Sequence, residues 1–125
     1  MSLRTPLGKV LARGSAGEGA GHWWQQRVTA IALVPLTLWF VIGLLRRLPS
    51  KFEDMQVWLS QPWSAVLALL LVVTLAVHSK LGVQVVIEDY VHGKTAKTTL
   101  LLISTFAHVA AAVAAAFAVL RVALA

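Results

Sequence analysis

Residues 63–90 read WSAVLALLLVVTLAVHSKLGVQVVIEDY, in which 25 mostly apolar positions precede two carboxylates and a tyrosine. As an α-helix, 25 residues extend for about 37 Å, enough to cross a bilayer whose hydrocarbon core is roughly 30 Å thick. Two shorter runs of the same character, residues 28–45 and 100–120, flank this segment. The pattern predicts an all-α, polytopic membrane protein with three transmembrane helices that form part of a larger helical bundle.

The composition agrees with this interpretation. The three runs hold 64 of the 125 residues, and the mean hydropathy is +0.78. Charged residues make up 13% of the chain, about half of the roughly 25% that is typical of soluble domains. These values exclude an ordinary soluble domain, a disordered tail and a nucleic-acid-binding module. The chain has no cysteine, which excludes disulfides and cysteine-bound metal centres within it.

The chain divides into an arm and a membrane domain. Residues 1–21 are basic and rich in small residues, which predicts a flexible N-terminal arm. Residues 22–125 form the predicted membrane domain. No apolar segment precedes residue 28, so we expect no cleavable signal peptide. Between the first two spans we expect a short interfacial helix, with Phe52, Met55 and either Trp58 or Leu59 on one side.

The distribution of basic residues predicts the orientation in the membrane. The arm and the loop after the second span carry six Lys or Arg residues, whereas the first loop and the C-terminal tail carry four. The positive-inside rule therefore places the N-terminus in the cytoplasm, and the membrane is expected to be a bacterial inner membrane rather than a mitochondrial one. The second span then delivers Asp89 and Tyr90 to the inner surface.

Polar side chains inside the second span require an explanation, because they are costly in lipid. His78 and Asp89 are eleven residues apart, which places them within about 20° of one helix face and about 16 Å apart along the axis. Gly82 lies between them and would let a flat group approach the backbone. An imidazole at this depth suits an axial haem ligand, a hydrogen-bonded bundle histidine or a proton relay. The spacing alone leaves all three interpretations open.

Two motifs add a family resemblance over residues 21–120. The first precedes and opens the first span, and the second lies in the second span: His22-Trp23-Trp24-x-Gln26-Arg27-x-Thr29-Ala30 and His78-x-x-x-Gly82-x-Gln84-x-x-x-x-Asp89-Tyr90-x-His92. Together they resemble the smaller hydrophobic membrane-anchor subunit of succinate dehydrogenase, the D subunit or cytochrome b556-type anchor. The resemblance implies a non-catalytic subunit of complex II, in the citric acid cycle and respiratory chain. Its implied partners are a larger anchor subunit, an iron–sulfur subunit, a flavoprotein subunit, ubiquinone and the lipid membrane.

The resemblance also implies roles for individual residues. His78 takes the place of one axial ligand of haem b iron, and the larger anchor subunit supplies the other. Arg27 takes the place of a haem propionate contact. Tyr90 takes the place of a hydrogen-bond donor to a ubiquinone carbonyl, with Asp89 beside it supporting the site. Phenol and guanidinium groups both suit these roles as hydrogen-bond donors.

Some polar residues stay without a firm assignment. His108 in the third span is the rival haem ligand, although its neighbours Ser104 and Thr105 favour a hydrogen-bonded bundle histidine. Lys80 lies about 200° from His78 on the helix and has no functional interpretation. Alternatives to the anchor with a haem are a fumarate reductase anchor, a purely structural anchor, and an accessory subunit that relays protons. The relay would use His78, Asp89 and His108, and His22 and His92 are candidates for delivering protons at the inner surface.

Overall fold

A computed structural model of the chain describes residues 14–49 and 51–125, and only the backbone of residues 14–18. Over those ranges it is all-helical, with α1 (Gly14–Leu45), α2 (Phe52–Ser60), α3 (Pro62–Tyr90) and α4 (Lys94–Ala123). Three of the helices, α1, α3 and α4, are long and apolar enough to cross a membrane. The predicted all-α class and the three spans are confirmed.

Each membrane helix is longer than the apolar run that predicted it. The largest difference is in α1, which begins at Gly14, so that residues 14–21 are helical although they were predicted as part of a flexible arm. A helix nucleated in the apolar span propagates cheaply, and each glycine in its path costs only about 1 kcal/mol relative to alanine. The remainder of the predicted arm, residues 1–13, lies outside the described residues.

Helix α3 is the centre of the arrangement. It packs against α1 on one side and α4 on another, and the short α2 contacts both α3 and α4. Few of the described side chains are buried, and these are Trp58, Ser64, Ala68 and Leu81. Most apolar side chains along the spans are exposed, which is stable in lipid or against other helices. The chain therefore presents most of its apolar surface to its surroundings.

The predicted interfacial helix is present as α2, and it covers one end of the bundle. Trp58 is only 4% exposed and lies directly on Gly43 of α1, where any Cβ would overlap the indole. The Trp39 ring packs against Trp58 in a tilted arrangement, with a ring-centroid distance of 5.3 Å and an interplanar angle of 45°. The Arg47 guanidinium lies 4.6 Å above the Trp58 ring, and its Nη1 donates a hydrogen bond to the Gly43 carbonyl at 2.9 Å. These contacts fix α2 against α1.

The apolar residues expected on one side of α2 differ in burial. Trp58 is buried, whereas the side chain of Phe52 is 73% exposed. Phe52 is the first residue of α2, and it lines a shallow groove with Phe117 and Arg121 of α4. Met55 is half-buried. The apolar face of this short helix is therefore buried only in its later turns.

Candidate functional site

His78 lies where α3 crosses α1, and its side chain is half-buried. The Nδ1 atom of its ring is 2.9 Å from Oγ1 of Thr29, which belongs to α1. The same Thr29 oxygen is 2.7 Å from the carbonyl oxygen of Gln25 in the preceding turn. A polar pair of this kind gives the Thr29 hydroxyl and one nitrogen of His78 a partner inside the apolar part of the protein, and it ties the two helices together.

One helical turn after His78 on α3, Gly82 faces Gln26 of α1. A Cβ built on Gly82 would lie 3.8 Å from Nε2 of Gln26, an ordinary contact distance. The other amide atom of Gln26, Oε1, is buried without a hydrogen-bond partner among the described residues. Gly82 was expected to admit a flat group to the backbone of α3. Within this chain the nearest side chain is that of Gln26, so this glycine also lies in the packing of α1 on α3.

His108 makes a different kind of hydrogen bond. Its Nδ1 donates to the Ser104 carbonyl of its own helix at 2.7 Å, and the Ser104 hydroxyl is 3.3 Å from the same nitrogen. The ring lines a cavity of about 210 Å³ between α3 and α4, to which Ser79 contributes the other polar side chain. That volume is below the range of roughly 300–1,000 Å³ that ligand pockets usually occupy. His78 and His108 thus face different helix contacts.

The candidate quinone-site residues, Asp89 and Tyr90, are the last two residues of α3. Both side chains are exposed, and Tyr90 is 77% exposed. The turn that follows is braced by Lys97, whose Nζ donates to the Glu88 carbonyl at 3.1 Å. Because α3 is helical without interruption from Pro62 to Tyr90, the expected relation between His78 and Asp89 on one helix face holds. Tyr90 lies about 18 Å from His78 along the axis.

Arg27 is not brought to His78 within this chain. Arg27 lies next to Gln26 on α1 but about 200° around the helix from Thr29, so its side chain leaves α1 on a different face from the one that contacts His78. Its guanidinium lies 5.3 Å from the centroid of the Trp23 ring, a cation–π contact at an exposed position. Lys80 is half-buried in α3.

A metal ion held only by side chains of this chain would need several ligands close together, and the described residues provide no such group. Among the side chains that the structure describes, those of residues 19–49 and 51–125, no group of three or more His, Cys, Asp or Glu could hold a metal ion. A haem iron differs in this respect, because the porphyrin supplies four nitrogens and the protein adds only axial ligands. A single imidazole such as that of His78 is chemically suited to that task.

The residue that sequence reasoning missed is Thr29. Thr29 belongs to the first motif, but the sequence does not reveal its contact, because its polar partner His78 lies 49 positions away. A comparison of depths in the membrane could have identified it. Thr29 lies about as far before the end of α1 as His78 lies after the start of α3, so the two residues lie at similar depths if the two helices are antiparallel. Gln26 was missed for the same reason.

Comparison with known proteins agrees with the architecture. Residues 1–120 match the family described as succinate dehydrogenase/fumarate reductase transmembrane subunit. A hydrophobic membrane anchor subunit of succinate dehydrogenase from Rickettsia bellii (strain RML369-C) is 38% identical over 103 residues, 80% of each chain. The protein of the same description from Paracoccus denitrificans is 34% identical over 115 residues, 90% of this chain and 89% of its own length.

A third relative is described as a succinate dehydrogenase membrane anchor subunit, from Reclinomonas americana. It is 31% identical over 94 residues, which cover 72% of this chain and 78% of the relative. No solved structure matches the chain. The family match, over residues 1–120, includes the three apolar runs and both motifs. The chain belongs to the succinate dehydrogenase/fumarate reductase transmembrane subunit family, as a non-catalytic membrane-anchor subunit.

Proposed function

We propose that this anchor subunit binds one side of a b-type haem through His78 and contributes Tyr90 to a ubiquinone site in a succinate:ubiquinone oxidoreductase. The observation that carries the proposal is the hydrogen bond between His78 and Thr29. It engages only one ring nitrogen, Nδ1, and leaves Nε2 as the remaining ligating atom. An imidazole held in this way inside the membrane suits axial coordination of iron.

The residues fit a haem that is shared between two subunits. One axial ligand from this chain is sufficient if a larger anchor subunit supplies the second. The haem, when bound, supplies one-electron transfer, and its potential depends on the ligands and their hydrogen bonds. His78 would hold the iron, and the guanidinium of Arg27 would bind propionate carboxylates. Arg27 is exposed, so its long side chain is able to leave Trp23 for a group outside this chain.

The open packing supports a role inside a larger assembly. The three spans bury only a handful of side chains among themselves, and α3 alone contacts both other spans extensively. A larger anchor subunit would cover part of the exposed apolar surface, and lipid would cover the rest. The iron–sulfur and flavoprotein subunits would carry the succinate chemistry, since this chain has no cysteine to hold an iron–sulfur cluster.

The quinone role of Tyr90 follows from its position and chemistry. It is the only tyrosine of the chain, and it stands exposed at the end of α3. Its phenol is a neutral hydrogen-bond donor, which is what a quinone carbonyl requires. Asp89 beside it would orient the site through partner side chains. The bias of basic residues supports an orientation in which this end of α3 and the N-terminus lie on the cytoplasmic side, in what we propose is a bacterial inner membrane.

Other functions have less support. A proton relay through His78, Asp89 and His108 would need a connected path, but His78 bonds to α1 and His108 bonds within α4. A purely structural anchor would use the hydrogen bond between His78 and Thr29 only to join α1 and α3, and would give Nε2 of His78 no role. A fumarate reductase anchor would use the same scaffold, and differs from the proposal in the direction of the reaction.

The test uses the complex purified through a tag on this chain. We expect it to contain two peripheral subunits and a larger anchor, and to give the reduced-minus-oxidised spectrum of a low-spin b-type haem. His78→Ala should alter that spectrum, and His108→Ala is the matched control that should preserve it. An unchanged spectrum in His78→Ala together with a lost one in His108→Ala would transfer the ligand role to His108. A complex without any haem would refute the haem proposal.

A further inference from the structure

The hydroxyl of Thr29 has three polar neighbours, and their chemistry limits where its proton lies. Its Oγ1 is 2.7 Å from the Gln25 carbonyl oxygen, 3.2 Å from the Gln26 carbonyl oxygen and 2.9 Å from His78 Nδ1. Both carbonyl oxygens can only accept, and the hydroxyl has one proton to donate. The shortest of the three contacts, to Gln25, is the natural destination of that proton.

This assignment determines the tautomer of His78. Once the hydroxyl donates to Gln25, its oxygen can only accept from the imidazole. The hydrogen of the neutral ring then lies on Nδ1, and the lone pair lies on Nε2. Ligation of iron requires a nitrogen with a free lone pair, so this tautomer is the one that leaves Nε2 ready to bind iron.

The pair also restrains the orientation of the ring. A threonine in a helix divides between two rotamers because its hydroxyl can bond the carbonyl of the preceding turn. The bond to Gln25 selects one of them, and so fixes the position of the oxygen that His78 contacts. The two residues come from different helices, α1 and α3, whose next contact is Gly82 against Gln26. The packing of α1 on α3 therefore sets the plane of the imidazole.

We propose that Thr29 is the positioning residue of His78. It accepts a hydrogen bond from Nδ1, donates its own hydroxyl hydrogen bond to the Gln25 carbonyl, and thereby keeps the lone pair of His78 Nε2 free to bind iron. This inference rests on the proposed ligation of haem by His78. Histidines that bind metals usually donate their second nitrogen to a carboxylate, a carbonyl or water. Here a threonine hydroxyl anchored to a helix carbonyl performs that function.

The test replaces Thr29 by Val, which keeps the branched shape and removes the hydroxyl, in the intact tagged complex. Loss of such a partner typically lowers metal affinity by about 10- to 100-fold, so haem content after detergent washing or dilution should fall accordingly. The midpoint potential of the retained haem should rise, because a ligand that donates less electron density favours ferrous iron. The electron paramagnetic resonance signal of the low-spin ferric haem should shift as well.

Two further variants separate the hydroxyl from the shape of the side chain. Thr29→Ser keeps the hydroxyl and should restore most of the haem affinity and potential. Thr37→Val makes the same chemical change on an exposed position of the same helix, and should leave every readout as in the unmodified complex. If Thr29→Val does not assemble, Thr29→Ala removes the same hydroxyl with space to spare and is measured in its place.

The outcomes distinguish this inference from the proposed function. Unchanged haem affinity, potential and resonance signal in Thr29→Val, with a changed spectrum in His78→Ala, would overturn the role of Thr29 and leave the haem ligand in place. Equal losses in Thr29→Val and Thr29→Ser would also overturn it, since shape rather than the hydroxyl would be responsible. An unaltered haem in His78→Ala would refute the proposed function itself.

Discussion

Replacing Tyr90 by Phe tests the quinone site with a minimal change. The substitution removes one hydroxyl and keeps the ring. The side chain is 77% exposed at the end of α3, so the chain loses almost no packing of its own, and the folded complex should be as stable as before. Any effect must then arise outside this chain, at the group that the phenol contacts.

The size of the effect follows from the single hydrogen bond. Such a bond contributes roughly 0.5–1.5 kcal/mol net, and 1.4 kcal/mol corresponds to a factor of ten. If the phenol only binds quinone, Tyr90→Phe should raise the KM for a short-chain ubiquinone by about 2- to 13-fold. A fall in kcat beyond that range would indicate that the phenol also takes part in proton transfer to the reduced quinone.

The assay compares two electron acceptors in the same preparation. Succinate oxidation with ubiquinone should slow, whereas oxidation with a soluble dye that takes electrons from the peripheral subunits should stay near normal. Asp89→Asn is the neighbouring control: it keeps the size of the side chain and should act only indirectly, with a smaller change in KM. Unchanged quinone kinetics in Tyr90→Phe, in an intact complex that holds its haem, would refute the reasoning.

Two further predictions concern packing and are measured by thermal unfolding of the purified complex. Gly43→Ala should destabilise it by about 1–3 kcal/mol, because the added Cβ overlaps the Trp58 indole. Trp58→Leu in the same chain should recover part of the lost stability. A Gly43→Ala complex as stable as the unmodified one would contradict the contact. Ser64→Ala should be neutral or stabilising, by up to about 1 kcal/mol, since Oγ of Ser64 is fully buried without a partner among the described residues; a clear loss of stability would mean that the hydroxyl has a partner in the complex.

The spans were predictable because each is a long apolar run, and length and hydropathy alone identify such helices. The ends were less predictable. The apolar pattern begins at residue 28, but helix geometry in α1 continues back to Gly14, through a segment of mostly small and polar residues with two tryptophans. Hydropathy indicates which residues can lie in lipid, but it does not indicate where the hydrogen-bonded helix ends. Phe52 illustrates the same limit, because a nine-residue helix has too few turns for its pattern to specify which positions are covered.

The candidate site divides in a similar way. Spacing along one helix correctly related His78 to Asp89, since both lie on α3 and the helix is uninterrupted. Contacts between helices were not predictable from spacing. Gly82 and Gln26 meet only because α1 and α3 cross at that point, and Thr29 meets His78 for the same reason. Pairing of residues on different spans depends on rotation and depth, which a single sequence does not encode in any local pattern.

The link between Thr29 and His78 has a consequence for biogenesis. Its two halves are separated by 49 positions, and they leave the ribosome in different insertion events. While α1 is alone in the membrane, the Thr29 hydroxyl is already satisfied by Gln25 of its own helix. His78 has no such local partner and must find α1 as it inserts. Helix α4 contributes no atom to the pair, so closure of the hairpin formed by α1 and α3 is sufficient to orient the histidine.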